Sequence, residues 1–172
     1  MLEALIWDEL YEQIPKSFEY NGQTVSIEVY RANQAFQKEK PRFPFVMINF
    51  LEPVIDKTNT PLNEILRVGL NQDGDIEYTK GVVIRQSFDL NIYDNNIRRI
   101  AQLQNYLWLW AKKDLKLTNA TVFDVLPPRN LDFVEDYYVY RRVIEVVCKA
   151  VLSWQEIVQT IEQVETTVET QS

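Results

Sequence analysis

The chain has 172 residues and a formal net charge of −7, with 46% hydrophobic and 25% charged residues. That balance predicts one globular domain with a sizeable core and excludes wholesale disorder. With no histidine and one cysteine, Ser-His-Asp and Cys-His catalysis, His-ligated zinc and an internal disulfide are all excluded.

Leu2, Leu5, Ile6, Leu10 and Ile14 recur at helical spacing before Pro15, which predicts a helix over 2–14. Asn21-Gly22 then separates Ser17–Tyr20 from Thr24–Tyr30. Asn-Gly tolerates the two positive φ angles of a type I′ turn, so this is a hairpin. In its second strand Val25, Ile27 and Val29 alternate with Ser26 and Glu28, the pattern of a sheet with one wet face. Residues 31–42 are polar and carry Arg31, Lys38, Lys40 and Arg42 against Glu39 alone. They form either a solvated loop or a contact for an acidic partner surface or a phosphate backbone. Phe43–Leu51 is almost continuously apolar between Pro41 and Pro53, which suits a strand buried on both faces with Pro44 at its start.

Ile65–Leu70 and Ile76–Tyr78 flank Asn71-Gln72-Asp73-Gly74-Asp75, a turn signal that predicts a second, projecting hairpin. Asp73 and Asp75 at its tip are candidate contacts for a neighbour. The acids have alternate spacing, but Gly74 is misplaced for a calcium loop and Val82 stands where its closing Glu belongs. Val82–Tyr93 alternates as a long strand; Asp94 is a candidate cap for a helix whose face is Ile97, Ile100, Leu103, Leu107 and Trp110, widened by Tyr106, Trp108 and Leu109. Thr121–Leu126 is a short strand stopped by Pro127-Pro128, and Tyr137–Leu152 a second long one containing Cys148 as a small buried hydrophobe. Between them Asp132, Glu135 and Asp136 form the tightest carboxylate cluster, either a solvated turn or a divalent-metal site.

Ser153-Trp154-Gln155-Glu156 has the spacing of a capping box and predicts a helix with Trp154, Ile157, Val158, Ile161 and Val164 on its apolar face. The Thr/Glu-rich end that follows has the composition of a docking tail ordered by another chain. The expected organisation is therefore a domain over 1–152 and a C-terminal helix with an acidic tail over 153–172. Its fold class is α+β, with a mixed, mainly antiparallel sheet under one main amphipathic helix, a projecting hairpin and flanking N- and C-terminal helices.

Charge and glycine content bound the partners. Residues 1–20 hold five acids and one base and residues 155–172 four acids and no base, leaving +1 on 21–154. No strongly basic face for nucleic acid follows from that distribution. Gly22, Gly69, Gly74 and Gly81 are too far apart for a phosphate-cradling loop. No apolar run approaches the roughly 18 residues of a membrane span. Glu3, Asp8, Glu9 and Glu12 occupy the region where a signal peptide is basic, so no membrane partner is expected.

Arg31-Ala32-Asn33-Gln34 followed by Lys40-Pro41-Arg42-Phe43-Pro44-Phe45-Val46 resembles the entry to the central strand in tail-terminator (neck, head–tail joining) proteins of tailed bacteriophages. Arg85-Gln86-Ser87-Phe88-Asp89-Leu90-Asn91-Ile92-Tyr93 with its following helix, and Arg141-Arg142-Val143, resemble the same family. The likeness covers residues 1 to about 152 by element order, with the C-terminal segment as an unmatched addition. It implies a non-enzymatic virion protein, made in the host cytoplasm, without cofactors. The implied assembly is a homo-oligomeric ring, a hexamer, that ends the tail tube and joins it to the head-side connector or stopper, with DNA passing through unbound. The alternatives from other classes are a carboxylate-dependent hydrolase or nuclease using Asp132, Glu135 and Asp136, and a cytoplasmic protein-binding adaptor.

Overall fold

The computed structural model of the chain describes residues 2–32, 41–56, 64–135 and 137–158. Lys38, Lys40, Asp136, Ile161 and Val164 lie outside them, as does the tail. The chain divides into two compact units, Met1–Ile55 with Ile84–Ala150 and Asp56–Val83 with Val151–Ser172. Among the described residues the architecture is α+β, with two helices and a mostly antiparallel sheet.

The first unit opens with helix α1, Leu2–Gln13, which buries Ile6 and Leu10. Strands β1 (Ser17–Tyr20) and β2 (Gln23–Ser26) pair antiparallel around Asn21 and Gly22, both at positive φ. The second strand of that hairpin is shorter than its alternation predicts. It breaks at buried Ile27, whose N–H donates to Lys16 O at 2.7 Å, and β3 (Glu28–Arg31) joins the main sheet in parallel with β4 (Phe45–Phe50). One alternating run thus serves two sheets, because Ile27 keeps its apolar register while the backbone changes partner.

The main sheet continues with β5 (Val54–Ile55), the long β7 (Ile76–Asp94) and β11 (Tyr137–Val158). Three short strands, β8 (Thr121–Val125), β9 (Arg129–Asn130) and β10 (Phe133–Glu135), each pair antiparallel with β11. The strand order is β10-β11-β7-β4-β3, with β5 also on β7 and β8 and β9 also on β11. One face holds the core: Val46 and Ile48 of β4, Phe88, Leu90 and Ile92 of β7, and Ile144, Val146 and Cys148 of β11. Helix α2, Ile97–Lys113, adds Ile100, Leu103, Leu107 and Ala111 to that core. At about 1.5–3 kcal/mol per fully buried large apolar side chain, this layer is the main source of stability.

Several expectations need correction. Strand β4 is not buried on both faces: Val46 and Ile48 are inaccessible, whereas Phe45 and Met47 remain half-buried because no described helix covers their side. Asp94 is not the helix cap. It ends β7 and is fully buried, and Asn96 caps α2 by accepting hydrogen bonds from the N–H groups of Arg98 and Arg99. The stripe on α2 is narrower than expected, since Ile97, Tyr106 and Leu109 are exposed. The acidic connection before β11 is not a plain turn, because Phe133–Glu135 pairs with Tyr137–Val139.

The predicted C-terminal helix is the largest departure. Residues 153–158 continue strand β11 instead of starting a helix. A capping box is worth about 1 kcal/mol, and a dozen-residue helix is marginal in water. Val151, Trp154, Ile157 and Val158 are β-branched or aromatic, which suits extension of a strand already formed.

The second unit contains β6 (Glu64–Leu70), which pairs antiparallel with Ile76–Gly81 of β7. Asn71 Oδ1 closes the turn, accepting from the N–H groups of Asp73 at 3.0 Å and Asp75 at 2.8 Å. Gly74 sits at φ 83°, a conformation that costs glycine nothing. The turn reading of this stretch therefore holds.

Candidate functional site

Of the three candidate carboxylates, Asp132 alone has a described side chain, and it is tied to the sheet. Asp132 accepts from Arg141 N at 2.8 Å through one carboxylate oxygen and from Arg142 Nη1 at 2.7 Å through the other. Both oxygens are thereby used to bring the end of the 129–132 segment onto β11. The side chain of Glu135 lies outside the described set, as does Asp136, so the triad is not assembled on described atoms. Among the described residues no group of three His, Cys, Asp or Glu side chains is placed to hold a metal ion. Cys148 is fully buried in the core, and burial pushes its thiol up to about 12. A thiol in that position is protonated and inert.

Of the four basic candidates only Arg31 and Arg42 are among the described residues. Arg31 pairs with Glu3 of α1, and its guanidinium lies 5.9 Å from the Trp7 ring and 5.5 Å from that of Phe50. It fastens α1 to the edge of the sheet, a cation–π arrangement that favours arginine. Arg42 is exposed, and its backbone N–H donates to Glu28 at 3.1 Å. The Tyr30 hydroxyl donates to the same carboxylate; this bond and that from Arg42 hold Glu28 below its ordinary value, while the Glu28 bond pushes Tyr30 up to about 12.

The sheet face opposite the core, which no described helix covers, carries a row that the sequence did not reveal. Phe43, Phe45 and Tyr93 stack in series at 5.7 and 4.9 Å, with Tyr30 edge-on to Phe45 at 6.2 Å. Arg141 extends this row, lying 5.7 Å from the Tyr93 ring while donating to Asn91 Oδ1 at 2.6 and 3.2 Å. Asn91 in turn donates to Met47 O at 3.2 Å. On the same face Asp89 has one inaccessible oxygen without a hydrogen-bond partner. Burial raises its pKa, the charge of Glu145 adds to this, and Arg129 and Arg141 oppose it. The only signal for this face was the unusual mixture of Asp89, Asn91, Tyr93 and Arg141 in alternating strands.

Other exposed apolar side chains lie on the helices, Leu5 and Tyr11 on α1 and Ile97, Tyr106 and Leu109 on α2, and on strands. Val68 and Leu70 are exposed on β6, Phe123 on β8, and Val151, Leu152 and Trp154 on the last part of β11. Of the other candidate contacts, Asp73 is exposed at the hairpin turn beside half-buried Asp75. Ile157 and Val158 belong to β11. The geometry offers surfaces for other chains and no assembled reaction centre among the described residues.

A family model described as phage neck terminator protein matches residues 4–172. The chain belongs to that family. The phage neck terminator family is a structural one, which places the chain in the virion neck and tail among other head–tail proteins. The match runs to the last residue, so the acidic C-terminal segment is part of the neck terminator pattern and not an addition to it. No curated protein matches the chain.

Proposed function

We propose that this neck terminator assembles as a closed ring, a hexamer, that ends the tail tube and joins it to the head-side connector while DNA passes through. The observation that carries the reading is the family match across almost the whole chain. Supporting it are the edges of strands β6 and β8, which each bond to one described neighbour and suit heterologous contacts, the kind that close into rings. A formal charge of +1 over residues 21–154 gives no strong hold on phosphate, as passage of DNA requires. Residues Arg42, Lys38 and Lys40 meet an acidic surface of a partner in this scheme, and the 153–172 segment acts as its docking arm.

Mass measurement in solution and electron microscopy of the full chain, alone and with purified tail tubes, test the ring. Closed rings and capped tubes are expected. A chain that neither forms rings nor caps tubes overturns the proposal. Deletion of residues 71–76 tests the hairpin's part and is expected to impair assembly without unfolding the chain.

A further inference from the structure

The most exposed large hydrophobic side chains among the described residues are Leu70 at 73%, Phe123 at 62% and Val68 at 61%. They lie on two strands only, β6 and β8. Among the described residues strand β6 pairs only with β7 and β8 only with β11, so each leaves a row of backbone groups on its other side without a described strand. Natural edges of this kind are usually blunted by lysine, proline or a short length. Neither strand contains lysine or proline.

Strand β8 carries one irregularity where it pairs with β11. Val122 faces Cys148 while Asp124 faces Val147, so Phe123 is an extra residue with no Cα partner on β11. A bulge often protects an edge, but this one turns an apolar ring outward, where Lys149 Nζ lies 3.7 Å from its centroid. A protective device that exposes phenylalanine serves a contact better than it serves solubility. The charges are complementary as well: Arg67 is exposed on β6, and Asp124 is exposed on β8.

We propose that β6 of one copy docks along the β8 edge of a second copy, with Val68 and Leu70 against Phe123 and Arg67 against Asp124. This rests on the ring reading above and specifies its subunit contact. Two different edges make the contact heterologous, so each copy offers one donor strand and one acceptor strand, the arrangement that a ring requires.

The test uses the full chain and follows assembly by light scattering and sedimentation. Phe123→Lys and Leu70→Lys are expected to weaken association by about tenfold or more, as buried anchors do. Asp124→Arg and Arg67→Glu are each expected to weaken it by up to about fivefold, and the double reversal to recover most of that loss. Circular dichroism of each variant is expected to match the parent, since all four positions are exposed. A chain carrying both Arg67→Cys and Asp124→Cys is expected, under a mild oxidant, to cross-link between successive copies into a ladder of multiples of the chain mass. Rings that form equally well in every variant, a double reversal no better than the singles, or a cross-link within one chain overturn this contact and leave the ring reading standing. A parent chain that stays monomeric overturns both.

Discussion

Arg99 closes on Asp94 with two hydrogen bonds, Nε at 2.7 Å and Nη2 at 2.6 Å, and the Asp94 side chain is wholly inaccessible. The Asn95 N–H adds a third bond to the same carboxylate at 2.7 Å. This bidentate pair locks the last residue of β7 to the first turn of α2, and so sets how the helix leaves the sheet. Asp94→Asn keeps the shape but leaves the guanidinium half-satisfied. Breaking such a pair is expected to cost about 3–5 kcal/mol, read as a lower urea midpoint at unchanged slope.

Asp89 predicts a pH dependence of the opposite sense to the usual carboxylate. Its folded pKa is raised above the ordinary 3.8 by burial and by Glu145. In the window from 3.8 up to that raised value the native state therefore holds more proton than the unfolded chain. Stability contributed at this site falls as pH rises through the window and stays lower above it. Asp89→Asn is expected to be more stable than the parent at neutral pH and equal to it well below 3.8. Urea titrations across that range check it, and a parent that outlasts the variant at neutral pH refutes it.

Helix α2 provides a paired test of packing against periodicity. Leu107 is 0% exposed and Leu109 46% exposed, although both fall on the apolar stripe that the sequence suggests. Leu107→Ala is expected to cost about 2–5 kcal/mol and Leu109→Ala to stay within about 0.5 kcal/mol, measured by chemical denaturation.

Truncation after Val158 is expected to leave both units folded and to impair assembly, if the acidic segment is a docking arm. Hydrogen exchange on the isolated subunit and on the assembly provides the direct measurement. Fast exchange alone and slow exchange when assembled is the expected result; equal protection in both states assigns the segment to its own subunit. Reversing Lys38, Lys40 and Arg42 to Glu together is expected to weaken association and reduce its salt sensitivity, since single exposed pairs contribute only about 0–1 kcal/mol.

Local chemistry by itself determined α1, the Asn21-Gly22 turn, the Asn71–Asp75 turn, the long strands and the buried stripe of α2. Each rests on a signal that acts within a few residues: helical spacing, positive φ at Asn-Gly, or strict alternation. The missing histidine and scattered glycines also narrowed the chemistry before any fold was known. Tertiary structure decided the rest. Whether Ile27 continues one sheet or passes the chain to another depends on Lys16 O and on β4, neither adjacent in sequence. Residues 153–158 satisfy the capping rule, yet they extend β11, because propagating a formed strand outweighs nucleating a short helix. Arg31 meets Glu3 from 28 residues away, and Arg141 meets Asn91 from 50 residues away. Partners that distant are chosen by strand order and register, which local propensity does not encode.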